Sequence, residues 1–153
     1  MNQDPGVMEY FPSLLSPDKT EQLYNRIQKH FEEHGFGLYA LEESTTGAFI
    51  GFTGFMIPSF TAPFTPCVEI GWRLRKAYWG KGLASEAALA CLEYGFSTWH
   101  FPEVYSFTSV YNTRSENVMK KIGMHKAGEF EHPNIPRADR LCRHVLYKII
   151  PAG

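Results

Sequence analysis

Tyr78-Trp79-Gly80-Lys81-Gly82-Leu83-Ala84-Ser85-Glu86-Ala87-Ala88-Leu89-Ala90 sets two glycines and a lysine directly against a run of strong helix formers. The stretch reads as a glycine-rich turn opening a helix. Glycines let the backbone approach a ligand without an intervening side chain. The free N–H groups of a first helical turn carry partial positive charge and suit a phosphate. A tight loop before an ordinary packed helix is the other reading these residues allow, and a short glycine pattern does not choose between them. The choice rests on what stands before and after.

Before it, Cys67-Val68-Glu69-Ile70-Gly71-Trp72-Arg73-Leu74 reads as a strand. The period of two puts Val68, Ile70, Trp72 and Leu74 on one face and Glu69, Gly71 and Arg73 on the other. After the turn, Ala84, Ala87, Ala88, Cys91 and Gly95 form a stripe of small residues that permits close approach to a sheet. Glu103 to Val110 alternates as a further strand. Asn112-Thr113-Arg114-Ser115 then opens a short helix that Gly123 closes, with Val118, Met119 and Ile122 as its buried side.

Further out, Ser16-Pro17-Asp18-Lys19 is a helix start, and Gly35 is its stop. Leu23, Tyr24, Ile27 and Phe31 are its expected apolar face. Phe36 to Glu42 and Ala48 to Ile57 predict a hairpin around the turn formers Glu43 to Gly47, with Gly51 and Gly54 marking a bulge or a close approach. Pro58 to Pro66 is a loop, either bordering a pocket or simply connecting strands. Met124 to Phe130 and Leu141 to Ile149 complete the strands around a polar loop. Alternating helix and strand patterns make the class mixed α/β.

The 153 residues, 44% hydrophobic and 20% charged, fit one globular domain over residues 1–153. A formal net charge of −1 gives no reason to expect a nucleic-acid partner. No apolar run is long enough for a membrane span and the start lacks a signal-peptide pattern, so a cytoplasmic setting is expected. The three cysteines, Cys67, Cys91 and Cys142, form no CxxC pair and are expected as buried free thiols. The six histidines contain no HExxH pattern, so no metal is expected. His30 and His34, four apart, read as a solvated or capping pair.

An acidic strand, a glycine turn opening a helix, and an Asn-initiated helix ending in Lys121-Ile122-Gly123-Met124 together resemble the GCN5-related N-acetyltransferase family. The likeness is to its branch of ribosomal-protein N-terminal acetyltransferases (RimJ/RimL-like), and it covers about residues 7 to 149. The family motif Gln/Arg-x-x-Gly-x-Gly/Ala falls on Trp79 to Ala84, with Trp79 in the Gln/Arg place. The resemblance implies a mostly antiparallel sheet and acetyl-CoA as co-substrate. Its pyrophosphate would be held by amides of Gly80, Lys81, Gly82, Leu83, Ala84 and Ser85, with Lys81 and Arg75 adding charge. The backbone at Leu74 and the side chain of Asn112 would meet the pantetheine arm, although Asn112 also reads as a plain helix N-cap. The strand ending at Leu74 would splay from the strand of Glu103 to Val110.

The implied reaction is acetyl transfer to a primary amine, either a protein N-terminus or a small molecule. An α-amine of pKa about 8 or a lysine of about 10.4 must lose a proton, and a departing thiolate benefits from receiving one. Glu69 is the candidate base, with pairing to a nearby Arg as its structural alternative. Met119 stands where many relatives carry a tyrosine acid. Ser115 is the candidate donor to the sulfur or else an ordinary first-turn serine. A non-catalytic acetyl-CoA-binding module is the rival reading. Trp72, Phe52, Phe55, Phe60, Phe64 and the loop Glu131-His132-Pro133 are candidates for the acceptor side. Relatives carry a strand ahead of the segment that here is Asp4 to Met8. The resemblance therefore implies an N-terminally shortened domain without its first edge strand, whose open edge would favour a homodimer.

Overall fold

The computed structural model describes all residues from 1 to 153. The elements follow in the order α1 (Pro17–His34), β1 (Leu38–Glu42), β2 (Phe49–Met56), β3 (Glu69–Leu74), a 3-10 turn (Lys76–Tyr78), α2 (Leu83–Thr98), β4 (Val104–Ser109), α3 (Thr113–Lys121), β5 (His125–Glu131) and β6 (Arg143–Ile149). One six-stranded sheet runs β1-β2-β3-β4-β6-β5, antiparallel throughout except where β3 meets β4. β1 is an edge, and residues 1–15 form turns and bends rather than a strand beside it. No helix is long and apolar enough to cross a membrane.

The local signals act as expected at the helix ends. Ser16 Oγ accepts from Lys19 N–H at 3.2 Å, and Gly35 closes α1 in the left-handed region with φ 81°. Both glycines of β2 are close approaches. A Cβ on Gly51 would collide with the Arg73 carbonyl oxygen, and one on Gly54 with that of Gly37. The small-residue stripe of α2 serves the same end, since a Cβ on Gly95 would lie 2.7 Å from the Phe55 ring. The core lies between α2, α3 and one sheet face, around Phe55, Ile70, Ala88, Val104, Met119 and Tyr147.

Two expectations for α1 need correction. Of the expected face, Leu23, Ile27 and Phe31 turn to the protein, but Tyr24 is 59% exposed, and His30 and His34 join the inward side. His30 is buried rather than solvated. Its Nε2 accepts from Ile57 N–H at 3.0 Å, so its Nδ1–H is the donor to the Phe36 carbonyl at 2.7 Å. The imidazole thus stitches α1 to the start and the end of the hairpin, and burial lowers its pKa. The cysteines are unpaired. Cys142 is buried, whereas Cys67 and Cys91 are half-buried, with thiols that burial pushes up to about 11.

Candidate active site

β3 and β4 touch at one end only. Their single register pair is Glu69 with Tyr105, fastened by Tyr105 N–H to the Val68 carbonyl at 2.9 Å and by Ser106 Oγ to the Ile70 carbonyl at 2.9 Å. Past that point the strands part, because each continues in a ladder with its other neighbour, β3 with β2 and β4 with β6. The gap opens into a cleft of about 630 Å³. The starts of α2 and α3, the residues Gly6, Val7, Tyr10, Phe11 and Pro12, and the loop after β5 border it.

The glycine turn shapes the mouth of the cleft. Gly80 and Gly82 both hold φ 75°, and a Cβ built on either would meet no protein atom within 4 Å. Space is therefore kept open beside backbone that only glycine adopts without strain. The first hydrogen bond of α2 runs from Glu86 N–H to the Gly82 carbonyl at 3.0 Å, so the N–H groups of Leu83, Ala84 and Ser85 have no partner within the turn. This cradle fits an anion of phosphate type. Leu74, Gly80, Gly82, Leu83, Ala84, Ser85 and Asn112 all line the cleft.

Arg75 and Lys81 do not line it. Arg75 donates to the Phe49 carbonyl at 3.1 Å, and the Lys81 ammonium sits 5.5 Å from the Tyr78 ring. The cations that do line the cleft are Arg73, Arg114 and Lys121. Trp79 explains the place of Arg114. Its indole N–H bonds the Leu74 carbonyl at 3.0 Å, and its ring carries the Arg114 guanidinium at 4.1 Å. The aromatic in the motif is thus a prop for a cation supplied by α3. The sequence signal for this was the Arg one step ahead of Ser115, but nothing local tied it to Trp79.

Asn112 is the N-cap of α3. Its Oδ1 accepts from Ser115 N–H at 3.2 Å and its Nδ2 donates to Thr108 Oγ1 at 3.0 Å. Ser115 faces the cleft, and its Oγ accepts the Trp72 indole N–H at 3.0 Å. Because the indole takes a lone pair, the serine's own proton remains free to be donated. Met119 is 1% exposed and packs in the core while its side chain borders the same cleft.

Glu69 shares a sheet face with Arg73, as the alternation predicts, but the two do not pair. Its carboxyl is pushed up to about 8, and burial is the only cause, with no ion pair or hydrogen bond to offset it. It is also the only carboxylate lining the cleft. Beyond it lie Phe107, His132 and His144. The two imidazoles are 5.1 Å apart, and burial lowers the pKa of both. Of the aromatic residues considered for the acceptor side, Trp72, Phe52 and His132 line the cleft; Phe55 is in the core, and Phe60 and Phe64 stack behind, against Phe107 and Phe130.

Comparison with known proteins agrees with this architecture. Residues 1–125 match the model of the acetyltransferase (GNAT) domain family. The chain is 40% identical to the uncharacterized N-acetyltransferase YnaD of Bacillus subtilis strain 168, over 96% of this chain and 82% of that protein. Among solved structures it is similar to a GNAT-family acetyltransferase from Bacillus anthracis, with TM-score 0.77 and 27% identity, covering 97% of this chain and 84% of that one. A ribosomal-protein-S5-alanine acetyltransferase from Vibrio fischeri shares the fold at TM-score 0.69 and 17% identity, covering 88% of this chain and 72% of that one. The chain belongs to the GNAT acetyltransferase family and is an acyltransferase.

Proposed function

We propose that this GNAT acetyltransferase transfers the acetyl group of acetyl-CoA to a primary amine, a protein N-terminus or a small molecule, by direct attack within a ternary complex. The observation that carries this reading is Glu69: a lone, unpaired carboxyl beside the point where β3 and β4 part. Acetyl-CoA supplies the activated acyl carbon and a thiol leaving group. The amides of Leu83, Ala84 and Ser85 and the open space at Gly80 and Gly82 would hold its pyrophosphate, with Arg114 and Lys121 as the nearby cations.

Glu69 takes the proton of the incoming amine, directly or through a water. A carboxyl poised near 8 is well matched to an α-amine of pKa about 8. Ser115 donates a hydrogen bond where charge develops on the departing sulfur, and the Trp72 indole N–H occupies one lone pair of its oxygen, leaving the hydroxyl proton available. Within the family, Asn112, Ser115 and Trp79 support a place near the ribosomal-protein N-terminal acetyltransferase branch.

The test is release of free thiol from acetyl-CoA in the presence of a panel of amines, with the acetylated product weighed by mass spectrometry. We expect acceptor-dependent release that rises with pH through about 8, as Glu69 loses its proton. Tight binding of acetyl-CoA without turnover on any acceptor would overturn the reading.

A further inference from the structure

Arg73 is a cation without a counter-ion. Its guanidinium lies 4.4 Å from the centre of the Phe11 ring and 5.2 Å from that of Phe52, held between the two faces. Nη1 donates to Asn2 Oδ1 at 3.0 Å, while Nε is buried without any partner. No carboxylate pairs with it, and desolvation alone pulls its pKa down to about 10, so it stays charged at neutral pH. A buried guanidinium left without an anion is costly, and a carboxylate meeting it gains a charge-assisted, geometrically defined pair.

Arg73 and Glu69 project from the same face of β3 and both line the cleft, four residues apart on the strand, or roughly 13 Å between backbones. Glu69 marks the amine end. The rest of the lining holds no other acid, so a polyamine bringing several positive charges would meet Arg73 with nothing to neutralise them.

We propose, building on the acetyl-transfer reading, that Arg73 is a specificity residue that binds a carboxylate on the acceptor. The acceptor class is then a primary amine that also bears a carboxylate, such as an amino acid, rather than a polyamine. The Phe11 and Phe52 rings hold the guanidinium in place, and the segment that carries Phe11 becomes part of the acceptor site.

The experiment compares matched acceptors, 4-aminobutyrate against 4-aminobutyramide and phenylalanine against phenylalaninamide, at equal concentrations of free amine. The wild type should prefer each carboxylate by at least about tenfold in kcat/KM, chiefly through KM. Arg73→Met should abolish the preference, and Arg73→Lys should keep part of it. Calorimetry with N-acetyl-4-aminobutyrate and its amide reads the same contact without turnover. Absence of turnover on every amine would defeat the acetyl-transfer reading, while this binding arm still decides the role of Arg73. Equal use of acid and amide by the wild type, or a preference that survives Arg73→Met, overturns the proposal. So does a loss of acetyl-CoA affinity in Arg73→Met with acceptor preference intact, which would make the bound anion a phosphate of the co-substrate.

Discussion

The two halves of the cleft are made from different material. On the donor side, backbone does the work: two glycines at φ 75°, three free amides at the start of α2, and a pair of strands that part after one register pair. On the acceptor side, side chains do it: Glu69 and Arg73 from β3, Phe11 from the N-terminal turns, Phe52 from β2, and His132 and His144 from around the last hairpin. A site made of backbone depends on a short contiguous stretch. A site made of side chains depends on which distant segments the fold brings together, and can be rebuilt without disturbing the first. On the proposed reading, acceptor choice can change without altering the donor half.

The sharpest way to break this division is to put a side chain into the backbone half. Gly82→Val introduces a β-branched residue at φ 75° and fills open space in the cradle. We expect acetyl-CoA affinity to fall on the order of 100-fold, about 2.7 kcal/mol, by calorimetry on protein shown to be folded. Unchanged affinity would show that the cradle is not where the co-substrate binds.

The opposite perturbation touches the acceptor half alone. Glu69→Gln should slow turnover by roughly 100-fold or more at pH 7.5 while acetyl-CoA affinity stays within about twofold. The part of the rise of rate with pH that belongs to Glu69 should vanish with it, leaving a profile that follows the titration of the acceptor amine alone. A pH–rate profile identical to the wild type would remove Glu69 as the base.

Ser115→Ala sits at the seam between the halves. Loss of one positioned donor to the sulfur should lower kcat roughly tenfold with KM for acetyl-CoA little changed. Trp72→Phe, which frees the serine without removing it, should cost less. If Trp72→Phe is as damaging as Ser115→Ala, the indole has a role of its own at the acceptor.

A separate effect is on stability. Glu69 binds its proton more tightly folded, near pH 8, than unfolded, near about 4.3. Its favourable contribution is complete below the unfolded value and is lost as pH rises through the folded one. The wild-type Tm should therefore decline between pH 5 and pH 8 more than that of Glu69→Gln. Parallel curves would mean that the carboxyl is better solvated than its surroundings imply.

Much of the local frame of the cleft was legible in the sequence. The alternation of β3 assigns Glu69 and Arg73 to one face by a period of two, and the glycines, helix formers and Asn112 mark their own turns and caps. In α1, Leu23, Ile27 and Phe31 turn inward as their spacing predicts, while Tyr24, about 100° further round the helix, faces solvent. His30 was misread because its burial depends on Phe36 and on Ile57, a backbone partner 27 residues away.

What the amino-acid order settled by itself is whatever rests on contiguous residues: the glycine turn opening α2, the helix caps, the two faces of β3, and with them the family resemblance. The tertiary structure alone decided that Arg75 turns to Phe49 while Arg114 lies on Trp79, that Glu69 stands without a partner, and that Arg73 meets Asn2 across 71 residues of chain. The physical reason is range. Backbone conformation is set by neighbours in the chain, whereas the charge and solvation of a side chain are set by whatever the fold packs against it.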